Sequence, residues 1–196
     1  MDDGEEIAMS NLDEFEFDVR LKKMLQEKSG IYGLFPPQAE ALPNSLKGRN
    51  LMLAVPTSSG NSLVAHITLA NRLIGDLSGQ RGIYIVPLKA LASEKYEELK
   101  EVCSSVGLKV GLAIGDRGSE TSLVENSDVL VCTSEKLDSM LRSKPSLLDD
   151  IGIVVADEFH LMQDPSRGPT LEILISRIRH LSLIHISEPT RLRRIS

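Results

Sequence analysis

Five near-continuous runs of aliphatic and β-branched residues, separated by stretches with helical periodicity, predict an α/β fold built on a parallel sheet with helices on both faces. The runs are Asn50-Leu51-Met52-Leu53-Ala54, Gly82-Ile83-Tyr84-Ile85-Val86, Lys109 to Ile114, Asp128-Val129-Leu130-Val131-Cys132 and Ile151 to Ala156. Strands buried on both sides lose the alternation of a half-exposed strand, which is what these runs show. Each run also ends directly in a cluster of polar or small residues. In a parallel sheet those clusters gather on one edge, outside the carboxyl ends of the strands, where α/β sheets bind their ligands.

With 196 residues, of which 41% are hydrophobic, the chain has the length of about one domain and enough apolar material for a core. No apolar run reaches the roughly 18 residues of a membrane span, and no signal-peptide pattern is present. A soluble, cytoplasmic chain with no membrane partner is therefore expected. The two cysteines, Cys103 and Cys132, lack CxxC spacing and are expected to be reduced core thiols. The net charge of −6 is unevenly spread: residues 1–18 carry eight acids and no base, the last sixteen residues carry a net +2, and the body between them is neutral. Net acidity thus does not exclude a nucleic-acid partner, whose footprint would be a local patch.

Residues 1–29 read as an acidic arm, with a short strand near Phe15 and Phe17, followed by a docking helix. Asp18 is placed to cap that helix, Val19, Leu21, Met24 and Leu25 to share one face, and Gly30 to end it. Phe35-Pro36-Pro37-Gln38 starts the next helix, because proline is tolerated in a first turn. Further helices are expected over about residues 61–75, from Ala90 to Ser104, and after Thr133-Ser134-Glu135-Lys136.

Chemistry concentrates in two places. Val55-Pro56-Thr57-Ser58-Ser59-Gly60-Asn61-Ser62 lies between the first apolar run and a helical pattern, the context of a phosphate-binding loop. Small residues let successive N–H groups turn inward around an anion, and the helix that follows points its positive end at the same spot. Ser62 stands where a hydroxyl would ligate Mg²⁺. The pattern asks for lysine just before that hydroxyl, and this chain has Asn61. The second place is Asp157-Glu158-Phe159-His160, directly after the last run. One carboxylate suits Mg²⁺, which keeps most of its waters, and its neighbour is placed to polarise an attacking water. A phosphate loop with an acidic pair about 95 residues later is far more specific than either alone.

These segments resemble, in order, the motifs of the first RecA-like domain of a superfamily-two helicase. The match is closest to the Ski-two-like group and, within it, to the archaeal fork-processing DNA helicases related to the helicase domain of DNA polymerase theta. Phe35 to Gln38 resembles the adenine-reading Q motif, Val55 to Ser62 motif I, Pro87-Leu88-Lys89-Ala90-Leu91-Ala92 motif Ia, Thr133 to Lys136 motif Ib, and Asp157 to His160 the DExH box. Arg167-Gly168-Pro169-Thr170-Leu171-Glu172 is similar to a signature that follows the DExH box in the archaeal group. The resemblance covers residues 30–180 and implies a RecA-like, P-loop NTPase fold that binds ATP and Mg²⁺. It implies that Gln38 reads adenine, that Pro56, Thr57, Ser58, Ser59, Gly60, Asn61 and Ser62 cradle the phosphates, and that Ser62 and Asp157 hold Mg²⁺. Asp157, Glu158 and His160 would be the catalytic set, with Glu158 positioning water. Lys89, Thr133, Ser134, Lys136 and Arg167 would track one DNA strand through its phosphates.

Two residues depart from the family pattern: Asn61 replaces the lysine, and Phe159 replaces a smaller aliphatic residue. The implied activity is ATP-driven translocation along single-stranded or forked DNA, completed by a second RecA-like domain of the same full-length chain. An RNA helicase of the same group and a non-hydrolysing nucleic-acid-binding module are the alternatives, the latter because of Asn61. Residues 181–196, Leu181-Ser182-Leu183-Ile184-His185-Ile186-Ser187-Glu188-Pro189-Thr190-Arg191 and onward, resemble the conceptual translation of a sequencing-library adaptor. They are expected to have no packed role, and the fragment alone is expected to be at best a weak ATPase.

Overall fold

A computed structural model describes residues 9–54, 61–114, 126–157 and 182–187. In chain order the elements are β1 (Ser10–Asn11), α1 (Val19–Glu27), β2 (Gly33–Leu34), α2 (Pro36–Leu46), β3 (Leu51–Ala54), α3 (Asn61–Ile74), β4 (Arg81–Val86), α4 (Lys89–Ser104), β5 (Val110–Ala113), β6 (Val129–Thr133), α5 (Ser134–Ser143), β7 (Ile151–Ala156) and β8 (Ser182–Ser187). Strands β3 to β8 form one sheet in the order β3-β8-β7-β4-β6-β5, with every neighbouring pair parallel. The five predicted runs are all strands of this sheet, and their carboxyl ends share one edge.

The alternation of side chains along each strand divides the core in two. Tyr84, Val86, Val129, Val131, Ile153 and Val155 pack with α1 to α4 on one face. Ile83, Ile85, Leu130, Cys132 and Val154 pack with Leu137 and Leu141 of α5 on the other. Ile151 also joins the α5 face, although period-2 alternation from Val154 would send it to the opposite side. The register of β7 against β4 slips between Arg81 and Gly82, and this irregularity turns Ile151 over. Gly152 sits at that slip, where a Cβ would run into the Gln80 side chain.

Asp18 caps α1 as predicted, accepting from Arg20 N at 2.8 Å. Leu21, Met24 and Leu25 form the buried stripe, but Val19 is 73% exposed and does not belong to it. No strand forms at Phe15 and Phe17. The strand falls earlier, at Ser10–Asn11, antiparallel to Gly33–Leu34. Asn11 then starts a 3₁₀ turn by a reciprocal capping box: its side chain accepts from Asp13 N, while Glu14 Oε1 accepts from Asn11 N at 3.1 Å. That box ends the extended chain before either phenylalanine is reached.

The exclusion of residues 181–196 from the packed fold does not hold for Ser182–Ser187. This segment lies between β3 and β7, pairing Leu51 with Ile184 and Val154 with Leu183. The slot is specified by backbone hydrogen bonding from two parallel neighbours. A short segment with isoleucine at alternate positions meets that demand, whatever its origin. Both cysteines are free and buried, and burial pushes each thiol up to about 12, so they are inert core groups as expected.

Candidate functional site

The acidic end of β7 and the start of α3 meet at one phenol. Asp157 directly follows β7, is 8% exposed, and is anchored by its backbone N–H to Ile85 O at 2.9 Å. Tyr84, in the middle of β4, is fully buried on the α3 and α4 face, and its hydroxyl donates to Asp157 Oδ2 at 2.8 Å. Ser62, the second residue of α3, hydrogen-bonds the same hydroxyl through its side chain. Burial, followed by the nearby Asp157 charge, pushes the Tyr84 phenol well up, so it stays protonated and remains a donor. The Tyr84 hydroxyl thus stands between the Ser62 side chain and the Asp157 carboxylate and brings the two together. A hydroxyl and a carboxylate brought together in this way fit a hydrated Mg²⁺, which takes hard oxygen ligands and few protein groups.

Behind this pair, α3 and α4 face each other through two polar rungs. Lys95 Nζ donates to Ser62 Oγ at 3.2 Å and pairs with Glu98 Oε2 at 2.9 Å. One turn further along each helix, His66 Nε2 lies 3.9 Å from Glu98 Oε2. Spacings of four on α3 and three on α4 place both pairs on facing surfaces. The second rung is not an ion pair. Burial first, and the Lys95 charge second, lower the His66 pKa to about 3, so the imidazole is neutral. Its Nε2 has no hydrogen-bond partner among the described residues, and its ring packs against Tyr84 with centroids 5.6 Å apart. Tyr84, Lys95, Glu98 and His66 are thus parts of the site that motif reading passed over. The one signal in the sequence was a tyrosine inside an otherwise aliphatic strand.

Gln38 is placed at the head of α2 but is only 2% exposed. Its Oε1 accepts from Phe35 N at 2.9 Å, so the acceptor half of the amide serves the helix start itself. The other half of the predicted surface lies at the ends of β4 and β6. Lys89 opens α4, and Thr133 caps α5 by accepting from Lys136 N at 3.3 Å. Lys89, Thr133 and Lys136 line one groove of about 470 Å³, along with Pro87, Glu135 and Ser139. The structure therefore brings motifs Ia and Ib together. Ser134, in contrast, is buried at 5% exposure and does not line the groove. Two helix N-termini and two ammonium groups around one groove suit a run of phosphates. Asn61 is the first residue of α3. Residues Pro56, Thr57, Ser58, Ser59, Gly60, Glu158, His160 and Arg167 lie outside the described residues.

Comparison with known proteins agrees with this geometry. The DEAD/DEAH box helicase family model matches residues 35–193. The chain is 45% identical over 168 residues to the ATP-dependent DNA helicase Hel308 of Thermococcus kodakarensis, covering 85% of this chain and 15% of that protein. It is 43% identical over 168 residues to Hel308 of Pyrococcus horikoshii, covering 85% of this chain and 23% of that one. The chain thus spans less than a quarter of the length of these relatives. Among solved structures, the DUF1998 helicase MrfA bound to DNA superposes with a TM-score of 0.80 at 22% identity, covering 93% of this chain and 28% of that one. A hypothetical ATP-dependent RNA helicase from Sulfolobus tokodaii superposes with a TM-score of 0.73 at 20% identity, covering 87% and 50%. At those identities the superpositions speak for the RecA-like fold, while the sequence match bears out the resemblance read from the motifs. The chain belongs to the DEAD/DEAH box helicase family.

Proposed function

We propose that this chain is the first RecA-like, ATP-binding domain of an ATP-dependent DNA helicase that couples ATP hydrolysis to movement along a single strand and to duplex unwinding. The observation that carries this reading is the convergence of Ser62 and Asp157 on the Tyr84 hydroxyl at the edge where the Lys89 and Lys136 groove also opens. Ser62 and Asp157 would hold Mg²⁺, which supplies charge neutralisation at the phosphates when bound. The loop from Pro56 to Ser62 would wrap the phosphates, Glu158 would orient the attacking water, and His160 would link the site to neighbouring segments. Gln38 would read adenine with its side-chain amide. Lys89, Thr133, Ser134, Lys136 and Arg167 would follow the phosphates of a single or forked strand. Ser134 would act there through its backbone, since its side chain is buried.

The DNA assignment follows the names of the relatives, ATP-dependent DNA helicases in both cases. Turnover would require a second RecA-like domain of the same full-length chain, closing over the nucleotide. Asn61 at the head of α3 favours one rival reading, a module that binds nucleotide and nucleic acid without hydrolysis.

The test is ATP turnover of the full-length protein, with and without single-stranded DNA or RNA. DNA should stimulate turnover more than RNA, Asp157→Asn should abolish the stimulation, and Asn61→Lys should raise it by about ten-fold or more. Equal turnover with Asn61 and with lysine at saturating ATP and DNA would move the balance to the non-hydrolysing module.

A further inference from the structure

We propose that Lys95 is a phosphate-binding cation of the nucleotide site, supplying from α4 the charge that the head of α3 lacks with Asn61. The inference rests on the nucleotide-site reading above and adds to it a residue from outside the phosphate loop. The Asn61 amide is neutral and about two bonds shorter than a lysine ammonium, so it cannot provide a charge-assisted bond at the same reach. Lys95 Nζ already stands 3.2 Å from Ser62 Oγ, in the first turn of α3, where the helix end favours anions. It is therefore one hydrogen-bond length from the hydroxyl that, on the nucleotide-site reading, would turn to Mg²⁺ and the phosphates.

The surroundings of Lys95 suit this role. Its side chain is 17% exposed, so few waters compete for the ammonium and its field is less screened than at the surface. Glu98 grips it with both carboxylate oxygens, at 2.9 and 3.2 Å, which aims the group while no anion is near. An ammonium has three donors. It can keep Glu98 and exchange Ser62 for a phosphate oxygen, and that exchange returns the Ser62 hydroxyl to the site where it faces Asp157. His66, the next group along the interface, is neutral and adds no second cation to compete. A purely structural clamp between α3 and α4 would show the same distances. What separates the two roles is dependence on the residue at position 61.

The experiment is a double-mutant cycle in the 196-residue chain. Its readout is the affinity for a non-hydrolysable ATP analogue with Mg²⁺, measured calorimetrically, with thermal melting as the check on folding. Lys95→Met keeps the apolar stem and removes the charge. In the Asn61 chain it should weaken binding by about ten-fold or more, the loss of one charge-assisted hydrogen bond. In the Asn61→Lys chain, where the loop supplies its own ammonium, the same change should cost no more than about two-fold. Should Lys95→Met alone fail to fold because Glu98 is left unpaired, Lys95→Met combined with Glu98→Gln replaces it in both backgrounds. Equal losses in the two backgrounds make Lys95 a structural clamp and overturn the proposal. Binding of the parent chain with no effect of Lys95→Met overturns it while leaving the nucleotide-site reading intact. Absence of binding in all four chains overturns both.

Discussion

Two regions on the same sheet edge are built on opposite principles. On the α3 and α4 side, Ser62, Tyr84, Lys95, Glu98, His66 and Asp157 form a chain of polar groups that runs from the half-exposed Glu98 into the apolar core. Tyr84 is fully buried there, and His66 is 5% and Asp157 8% exposed. On the α5 side, the groove of Lys89 and Lys136 is open to water, and its charges stand at helix starts. A buried polar network has high stakes, because each group depends on its partner for the solvation it gave up. An open groove tolerates change, because water replaces whatever is lost. The first should respond to mutation through stability and pH, and the second through salt.

The largest expected effect comes from acid. The folded pKa of His66 is lowered to about 3 from an unfolded value of 6.5. Between these values the unfolded chain binds more protons than the folded one. The contribution of a neutral His66 is thus fully present above pH 6.5 and is lost as pH falls toward 3. Between pH 6.5 and 4.5 the loss from this group alone is on the order of 2 kcal/mol. Urea unfolding at several pH values should show it as the difference in slope between the parent chain and His66→Leu. Parallel pH profiles would mean that the α3 and α4 interface opens to water and is not the dry region described.

Next in size is Tyr84→Phe, which keeps the ring and removes the donor between Asp157 and Ser62. Loss of one hydrogen bond to a carboxylate in a site this buried costs about 1–3 kcal/mol. The denaturation midpoint should fall accordingly, and Mg²⁺-dependent nucleotide binding should weaken with it. An unchanged midpoint would show that Asp157 finds another donor, and the network would lose its centre.

The smallest effects belong to the groove. Lys89→Ala and Lys136→Ala should leave the unfolding midpoint in place and weaken single-stranded DNA binding by about two- to four-fold each at moderate salt. Each should reduce the slope of log affinity against log salt by about 0.7, with no change in base preference. A loss of fold in either variant, or a salt slope that does not move, would erase the contrast between the two regions.

Much of this architecture was legible in the chain. The continuous apolar runs announced two-sided burial, and the helix starts at Pro36 and Asp18 were written in local chemistry. Ser62 and Asp157 could be expected on one edge because their motifs follow strands, and parallel strands must end on one edge. Val19 was misplaced because a helical stripe of four candidates is wider than the face that α1 buries. The strand expected at Phe15 and Phe17 yielded to the capping box at Asn11 and Glu14, a turn signal only three residues apart. The adaptor-like look of Ser182–Ser187 gives no hint of a strand, yet a parallel slot asks first for extended backbone, which these six residues provide.

By itself, then, the sequence determined the parallel α/β class, the order of motifs, and the absence of lysine at position 61. Those are properties of periodicity, spacing and identity, which a linear chain carries in full. Only the tertiary structure decided that Tyr84 joins Ser62 to Asp157, that Lys95 reaches Ser62 across two helices, and that Gln38 turns its carbonyl oxygen back to its own helix start. Contacts between elements depend on the facing and depth of each helix on the sheet. These follow from how the whole core packs, so a lysine 33 residues from its partner looks, in the chain alone, like any solvated charge.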